Sequence, residues 1–476
     1  MKTAIDDLSL AAHPERLLPA DAGVRSVARD LLNDVADLPI VSPHGHVPAD
    51  LFVNDEPFAD PTSLFVTPDH YVTRLIHASG VPLRDLGVGA DPVDARSAWH
   101  RFAQAWPLFD GTASGYWLRG EFEHVFGIPG AMIDRLPTGG ADEVYDALSE
   151  KLTDPAFRPR QLFADFGIEV LATTDDPLDS LAAHATLASD PRFPGRVLPT
   201  FRPDAYLNSF LPAWSNNVDR LIDEAGDGRP GYDGYLRALE NRRTHFRNHG
   251  AVSTDHGVRT PRTVKLGRNE AATLFELVRR GTATAAERET FEAHMLFEMA
   301  RMSVDDGLVM TVHPGSLRNH HTPTLEGYGP DTGHDIPIAI DYTESIRPLL
   351  ESFGTAPGFH LVLFTLDETV FSREIAPLAG FYPSVYIGAP WWFLDAPDAM
   401  LRFRSAITET AGFSRSSGFI DDTRAFCSIP ARHDAARRIE AAFLARLVAE
   451  HRISEARAHE LIIDVVDSAP RRVFTL

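Results

Sequence analysis

Eight short runs of apolar and β-branched residues, each bounded by turn-forming residues, recur along this chain of 476 residues. Stretches with the periodicity of amphipathic helices separate them. Strands that alternate with helices predict a parallel sheet, because parallel neighbours are joined by a crossover that is usually helical. The runs are 38–41, 168–174, 197–201, 251–254, 308–312, 361–364, 385–387 and 418–420. The helical patterns between and after them are 177–188, 220–247, 269–280, 285–302, 342–353, 371–379, 399–411 and 439–448.

The number of strand candidates and the residues at their ends favour a closed barrel. Eight parallel strands close the commonest α/β barrel, and the carboxyl ends of its strands carry the active site. Most of the runs end in His, Asp or Arg. An open doubly wound sheet would show the same alternation, but the polar strand ends favour the barrel. We therefore predict an α/β fold in which a single (β/α)8 TIM barrel domain spans residues 1–476.

The connection between the first and second runs is much longer than an ordinary crossover needs. It is rich in Pro, Asp and aromatic residues, and helical periodicity is visible at 70–78 and 93–106. We predict that residues 47–162 form a helical insertion that covers the mouth of the barrel.

Charge and cysteine content exclude several classes of protein. The net charge of −22 disfavours binding to nucleic acid or to anionic membranes. The single cysteine, Cys427, allows neither an internal disulfide nor a Cys-rich zinc module, so we expect a cytoplasmic protein. Residues 1–18 lack the apolar run of a signal peptide, and no stretch is long and apolar enough to predict a membrane span.

The strongest candidate for a metal site is His44-Gly45-His46, directly after the first run. Side chains two residues apart on a strand point to the same side, so two imidazoles there can chelate one divalent metal ion. The alternative is a pair of surface histidines that follow a proline. A position at the end of the first barrel strand favours the metal site.

The last run ends in Asp421-Asp422, and Arg424 follows two residues later. Because a barrel closes, the end of its last strand lies beside its first strand. One of these aspartates is therefore expected to complete a site with the two histidines, and Arg424 is expected to flank it and hold an anion. The alternative is that an aspartate caps the following helix.

Other polar residues follow the remaining runs. Arg202 follows the third and suits a bidentate carboxylate, while Asp255-His256 follows the fourth. His313 ends the fifth, and Arg318 lies in the polar loop after it. Each residue alone is equally consistent with a structural role.

Aromatic side chains and the sixth run add two further points. Trp391 after the seventh run is a candidate for stacking on a sugar, or for closing the core. His70 and Tyr71 lie in the predicted insertion, where Tyr71 is also a plausible core residue. The sixth run has no histidine at its carboxyl end, since His360 precedes it. A site with one metal ion therefore fits better than one with two.

Taken in order, these motifs resemble those of the uronate isomerase, or glucuronate isomerase, family of the amidohydrolase superfamily, which are metal-dependent hydrolase-type barrels. The resemblance implies interconversion of D-glucuronate with D-fructuronate, and of D-galacturonate with D-tagaturonate. The set that carries it is His44-Gly45-His46, Asp69-His70-Tyr71, residues 173–180, Arg202-Pro203-Asp204, residues 253–256, His313 to Asn319, residues 329–333, Trp391-Trp392-Phe393 and Asp422-Thr423-Arg424. Ser42, Gly45 and Phe201 depart from the familiar pattern, which marks a diverged branch.

The resemblance also implies roles for individual residues. The matching metal ligands are His44, His46 and Asp422, for one divalent ion, with zinc expected and manganese as the alternative. No redox cofactor is expected, and the partners are a small uronic acid and further copies in a homo-oligomer. The positions that match the surroundings of the substrate are Tyr71, Arg202, Asp255, His313, Arg318 and Arg424.

Aldose–ketose isomerisation moves a proton between C2 and C1 through an enediolate, which needs a base and charge stabilisation at the oxygens. Asp422 is the first candidate for the base, with Tyr71 and His70 as competitors. The metal or His313 is expected to polarise the carbonyl group, and Arg318 or Arg424 to hold the uronate carboxylate. The alternative functions are a mononuclear metal-dependent hydrolase of the same superfamily and a non-catalytic sugar-binding protein.

Overall fold

The computed structural model describes residues 9–91 and 93–476, so the first part of the stretch expected to lack a signal peptide lies outside the described residues. The fold is α/β, and seven of the strands pair in parallel, which confirms the predicted parallel sheet. The remaining two form an antiparallel hairpin in the loop after the fifth strand. The strands are β1 Ile40–Ser42, β2 Ile168–Ala172, β3 Arg196–Leu198, β4 Ser253–His256, β5 Val309–Val312, β6 Ser316–Leu317, β7 Ile336–Pro337, β8 Leu361–Leu363 and β9 Val385–Ile387.

The parallel strands form two ladders, β1-β2-β3 and β4-β5-β8-β9. Phe201 lies between the ladders and makes parallel bridges to Asp175 on one side and Thr254 on the other. Its amide donates to the Ser253 carbonyl (3.3 Å), and its carbonyl accepts from the Asp255 amide (2.9 Å). The two ladders are thus continuous in the order of the chain.

The prediction of an eighth strand at 418–420 is wrong, because no regular strand forms there. The chain there makes a single parallel bridge, between Ser416 and Ile387, supported by a hydrogen bond from the Ser417 amide to the Ile387 carbonyl (2.9 Å). Gly418 then adopts a positive φ of 78°, which interrupts the extended backbone. Five residues further on, the Thr423 carbonyl accepts from the His46 amide (2.9 Å), so the last segment contacts the first.

The described residues between β1 and β2 contain helices and no strand, as predicted. The predicted helix at 70–78 is confirmed, and the one predicted at 93–106 is shorter at both ends. The α-helices of this segment are α2 Asp50–Asn54, α3 Pro61–Phe65, α4 His70–Ala78, α5 Ala95–Gln104, α6 Ala113–Gly120, α7 Gly130–Ile133, α8 Ala141–Thr153 and α9 Pro159–Asp165, preceded by α1 Ala22–Asn33 before β1.

The helices after β2 alternate with the strands. The helix predicted from 177 begins only at Ala182, because the Asp179 carboxylate accepts from the Leu181 amide (2.6 Å) in a turn. The α-helices after β2 are α10 Ala182–Ser189, α11 Asp204–Leu207, α12 Trp214–Ala225, α13 Gly231–Asn248, α14 Arg268–Arg279, α15 Ala285–Asp306, α16 Thr322–Tyr328, α17 Arg347–Phe353, α18 Ala376–Phe381, α19 Pro397–Ala411, α20 Ile429–Ala449, α21 Glu455–Ile463 and α22 Ala469–Phe474. Within the described part of the chain, no helix has the length and apolarity to cross a membrane.

The core has two large apolar clusters on either side of the strands. One joins β5, β8 and β9 to helices α11 to α15 and α17 to α19, and the other joins β1 to β3 to the helical segment 50–165. Helix α20 is almost entirely buried: the predicted apolar stripe of Ile439, Phe443 and Leu447 faces inward. At the end of the strands where the chain enters them, Phe474 of α22 packs with Val309 of β5. The opposite, carboxyl end of the strands is left for polar side chains.

Candidate active site

The two histidines of the His-x-His motif lie in the loop that follows β1, since the strand ends at Ser42. The alternation of a strand is therefore not what brings them together. The loop instead lies against the last segment of the sheet through the hydrogen bond from the His46 amide to the Thr423 carbonyl. Gly45 suits this approach, because an added Cβ there would lie 3.3 Å from Asp421 Oδ1 and 3.5 Å from the Ala172 carbonyl.

Asp422 is the aspartate that reaches the histidines. Its Oδ1 lies 3.1 Å from His44 Nε2 and 2.9 Å from His46 Nε2. The Asp422 backbone has a positive φ of 43°, an unusual conformation for an aspartate that directs its side chain away from that of Asp421. Asp421 lies on the other side, where its Oδ2 contacts His433 Nε2 (3.1 Å).

These three side chains form a possible metal-binding group, and their geometry suits a divalent cation. Thr174 Oγ1 bonds His46 Nδ1 (2.6 Å), which leaves Nε2 free to face Asp422. Ligand atoms about 2.1 Å from one ion and at right angles to each other lie about 3 Å apart. The observed separations of 2.9 and 3.1 Å from Asp422 Oδ1 match this value. Two imidazoles and one carboxylate are also the donor set of many zinc sites.

A second group of charged and polar side chains, centred on Asp255, lies next to His44. His313 Nδ1 is 2.7 Å from Asp255 Oδ1, and its ring stacks on that of His44 at 4.7 Å. Arg202 Nη1 lies 3.3 Å from Asp255 Oδ2, and its Nε donates to Asp204 Oδ2 (2.9 Å). His44, Asp255 and His313 also have ligand atoms close enough to share an ion. Asp255, however, is already balanced by Arg202, and Arg202 itself is doubly paired rather than free.

A cavity of about 200 Å³ opens beside the His44, His46 and Asp422 group. It brings together side chains that the sequence singled out separately: seven of the predicted site residues besides His46 line it. The lining residues are His46, Asp69, His70, Tyr71, Arg202, Arg318, Asp331, Gly333, Asp335, Trp391, Trp392, Asp422, Thr423, Arg424, Ala425 and Arg432. His44, Asp255 and His313 are buried beneath this lining. His256, which follows Asp255 at the end of the fourth run, is also fully buried, with Nδ1 2.9 Å from the Thr311 carbonyl.

Two arginines carried by loops face the cavity from the outer side. Arg318 Nη1 lies 2.9 Å from the buried carboxylate of Asp335, and its guanidinium lies over the ring of Trp392 at 4.9 Å. Asp331 lies between the two arginines, 3.6 Å from each. Although burial opposes it, the Arg424 and Arg318 guanidinium groups lower the pKa of Asp331. This cluster pairs two cationic with two anionic side chains at the outer side of the cavity, and both arginine side chains remain partly exposed.

The helical segment contributes His70 and Tyr71 at the start of α4, where the Asp69 side chain caps the helix by accepting from the Tyr71 amide (2.8 Å). Neither ring nitrogen of His70 has a hydrogen-bond partner among the described residues, although both are buried. Burial lowers the pKa of His70 to about 3, so the ring is neutral near pH 7. Burial also raises the pKa of the Tyr71 phenol well above its ordinary value.

The two carboxylates nearest the histidines both have a lowered pKa. Despite burial, the His44 and His46 rings lower the pKa of Asp422 well below its usual range. Arg202 and His313 do the same for Asp255. Both aspartates are therefore ionised at neutral pH. The arrangement can hold a cation, bind an anion and accept protons within one small space.

Several residues in the site were missed by the sequence reasoning. Arg432 lines the cavity and lies 2.8 Å from Asp395, which does not line it. Asp335 pairs with Arg318, and Asp331, noted only within the motif 329–333, pairs with both loop arginines. Thr174 was noted only as part of a motif. The signal for Arg432 was weak, because α20 also buries His433, Arg437 and Arg438 among its small and apolar residues.

Comparison with known proteins agrees with this site. A family model described as glucuronate isomerase (UxaC) matches residues 23–474. The uronate isomerase of Corynebacterium efficiens is 58% identical over 98% of this chain and 99% of its own.

Solved structures give the same result. The glucuronate isomerase of Caulobacter crescentus is 45% identical, with a TM-score of 0.95 over 98% of this chain and 97% of its own. The uronate isomerase of Thermotoga maritima is 28% identical, with a TM-score of 0.89 over 97% and 99%. The resemblance seen in the motifs is thus confirmed, and the chain belongs to the uronate isomerase (glucuronate isomerase) family of enzymes.

Proposed function

We propose that this enzyme interconverts D-glucuronate with D-fructuronate, and D-galacturonate with D-tagaturonate, in the cavity beside His44, His46 and Asp422. The observation that carries the proposal is the combination of a cation-binding group with a carboxylate-binding pair of arginines across one cavity of about 200 Å³. A uronic acid has both the carboxylate and the vicinal oxygens that such a site can hold. The hydrolase alternative gives no reason for the arginine pair.

We also propose that the strands close into a (β/α)8 barrel and that residues 47–162 are an insertion over its mouth, within one domain. The continuous order of the strands supports closure, as does the hydrogen bond from the His46 amide to Thr423. The contribution of His70 and Tyr71 to the cavity supports an insertion at the mouth. Closure would explain why residues 44 and 422 lie side by side.

His44, His46 and Asp422 would hold one divalent ion, with zinc expected and manganese as the alternative. When bound, such an ion supplies positive charge to the oxygens of the enediolate. Thr174 orients the His46 ring through Nδ1, and Asp255 fixes His313 against the face of His44. The chain therefore prepares the ligand atoms without a large rearrangement.

The remaining steps belong to the side chains of the cavity. Arg318 and Arg424 bind the substrate carboxylate, and the rings of Trp391 and Trp392 limit the space for the sugar. Asp422 contacts both histidines through Oδ1, and it is the first candidate to carry the proton between C2 and C1. His70, neutral and unpaired in hydrogen bonds among the described residues, is positioned to exchange a proton with a substrate hydroxyl.

The setting in the cell remains a prediction. The one cysteine, Cys427, is buried and reduced, which is compatible with a cytoplasmic location. The net charge of −22 continues to disfavour nucleic acid as a partner. We expect a homo-oligomer, which sedimentation of the purified protein would establish.

The test is conversion of D-glucuronate and D-galacturonate to their ketoses, followed by NMR, after dialysis against a chelator and after addition of zinc or manganese. We expect ketose without any redox cofactor. Ion binding to the native state should also raise the melting temperature of the wild type, but not that of a His46→Ala variant. Hydrolysis of amides or esters together with no ketose would contradict the proposal.

A further inference from the structure

The hydroxyl group of Tyr71 is held by two partners that are far from it in the sequence. It donates to the Asp395 carboxylate, with Oδ1 at 3.0 Å and Oδ2 at 3.2 Å. It also accepts from the Phe393 amide at 2.9 Å. Trp392 and Phe393 both have positive φ, 26° and 65°, so the loop that presents this amide is held in an unfavourable backbone conformation.

This pairing settles which way the phenol faces. A phenol oxygen has one proton to donate and two lone pairs. Asp395 takes the proton and the Phe393 amide takes one lone pair, which leaves one lone pair for a group in the cavity that Tyr71 lines. Because the pKa of Tyr71 lies well above its ordinary value, the phenol keeps its proton at neutral pH.

Asp395 is fixed in turn by Arg432 of α20. Arg432 Nη1 donates to Asp395 Oδ2 (2.8 Å), and Arg432 Nε donates to Ser428 Oγ (3.0 Å). The guanidinium lies 3.5 Å from the ring centroid of Trp117. Both charged side chains are less than one-tenth exposed, so neither ion can be separated from the other without a large desolvation cost.

We propose that Asp395 and Arg432 are positioning residues for the isomerisation, which orient the Tyr71 hydroxyl as a hydrogen-bond acceptor for a substrate hydroxyl. The inference rests on the proposed function and assigns one of its three proton-transfer candidates a different task. Tyr71 binds and orients the substrate, and the proton moves through Asp422 or His70. Burial without such a task would be better served by an apolar pair of the same shape.

The test is a double-mutant cycle with Asp395→Asn and Tyr71→Phe, measured as kcat and KM for D-glucuronate with the metal-loaded enzyme. Asparagine keeps one acceptor oxygen and has an amide donor in place of the other, so the Tyr71 hydroxyl and Arg432 would have to share a single oxygen. We expect each single variant to lose about 100-fold in kcat, as misplaced reacting groups do. The double variant should lose no more than about threefold beyond either single one, because both remove the same interaction.

Arg432→Lys is the conservative partner in a second cycle, since it keeps the charge but loses the planar fork. We expect Arg432→Lys to retain more activity than Asp395→Asn, with a loss of about tenfold in kcat. In an enzyme that already carries Tyr71→Phe, Arg432→Lys should cause no further loss. The matched control is Asp306→Asn, which breaks the buried pair of Arg243 and Asp306 (2.6 Å) outside the cavity. It should lower the melting temperature and leave kcat unchanged.

The outcomes separate the two hypotheses. The positioning role would be overturned if the losses in kcat of the single variants multiplied in both double variants, or if Asp395→Asn had the kcat of the wild type. The proposed function would still stand in either case, provided that the wild type forms ketose. If Asp395→Asn does not fold, the cycle with Arg432→Lys decides the question by the same criterion. Absence of ketose with the wild type would reject the proposed function and this inference with it.

Discussion

The two sides of the cavity are built differently. On the side of the sheet, His44 is 1% exposed and its neighbours are fixed by contacts with Asp422, His313 and Thr174 at the strand ends. On the outer side, the Arg318 and Arg424 side chains are 42% and 40% exposed and belong to loops. The first side is buried and closely packed, whereas the second has partly exposed side chains whose carboxylate partners lie at 2.9 to 3.6 Å.

This difference suggests a division of work. Proton transfer and charge stabilisation depend on distances that a small displacement destroys, so they belong on the rigid side. Binding of a carboxylate by arginine tolerates larger changes in distance and angle. Exposed arginines can also be reached by a substrate that arrives from solvent. Substitutions on the two sides should therefore affect kcat and KM differently.

The largest effect is expected for Asp422→Asn. Loss of both a candidate proton carrier and a negative ligand should lower kcat by at least about 1,000-fold, with a normal fold. Ketose formation and circular dichroism are the measurements. Asp421→Asn is the adjacent control, because its carboxylate contacts His433 and not the cavity. It should cost about 1–2 kcal/mol of stability and little rate. Near-normal turnover by Asp422→Asn would remove it from the mechanism.

A smaller effect, mainly on KM, is expected for Arg318→Met and Arg424→Met. A charge-assisted hydrogen bond to a carboxylate contributes up to about 3 kcal/mol, so KM for D-glucuronate should rise by about 100-fold. Steady-state kinetics would show this, with the exposed Arg373→Met as the control variant. A loss confined to kcat would show that the outer side also takes part in the chemistry.

The dependence of stability on pH tests the neutral state of His70. Its pKa falls from 6.5 unfolded to about 3 folded, so the unfolded chain binds the proton more tightly. The contribution to stability is full above pH 6.5 and is lost as the pH falls towards 3. At pH 5 the loss is at most about 2 kcal/mol. Urea unfolding at pH 7 and pH 5 should show a smaller loss for His70→Gln than for the wild type, and equal losses would contradict a buried neutral ring.

The smallest effect is expected for Asp331→Asn. Removing an anion between two half-exposed arginines frees them for the substrate carboxylate, and such screened pairs contribute up to about 1 kcal/mol. KM should fall by up to about fivefold with kcat unchanged. An increase in KM would instead show that Asp331 holds the arginines in place.

The sequence was most informative about the order of elements. Seven of the eight predicted runs overlap strands that pair in parallel, because their apolar, β-branched residues suit a sheet buried on both faces. The run at 418–420 is also mostly apolar, yet it forms no regular strand, and the bridge to Ile387 is made by Ser416 just before it. Gly418 and the packing of Pro470 against it, which involve a distant helix, interrupt the strand there.

The candidate site was predictable as a set of positions but not as a set of contacts. Residues after the runs do gather at one end of the strands, and several of them line one cavity. The pairing of Tyr71 with Asp395, 324 positions away, leaves no mark in local composition. The burial of Arg432 likewise depends on which helix packs beside it.

By itself, then, the sequence determined the alternation of strands and helices, the helical segment after β1 and the motifs of the family, because these depend on neighbouring residues. The resemblance already pointed to Asp422, but only the tertiary structure gives the physical reason that Asp422, not Asp421, faces His44 and His46: a positive φ at Asp422 and His433 on the other side. The tertiary structure also decided how each arginine of the site is paired, and the Arg318 and Arg424 side chains remain 42% and 40% exposed. Arg202 is consumed by Asp204 and Asp255, because a buried charge must be paired by whatever residues the fold brings within reach.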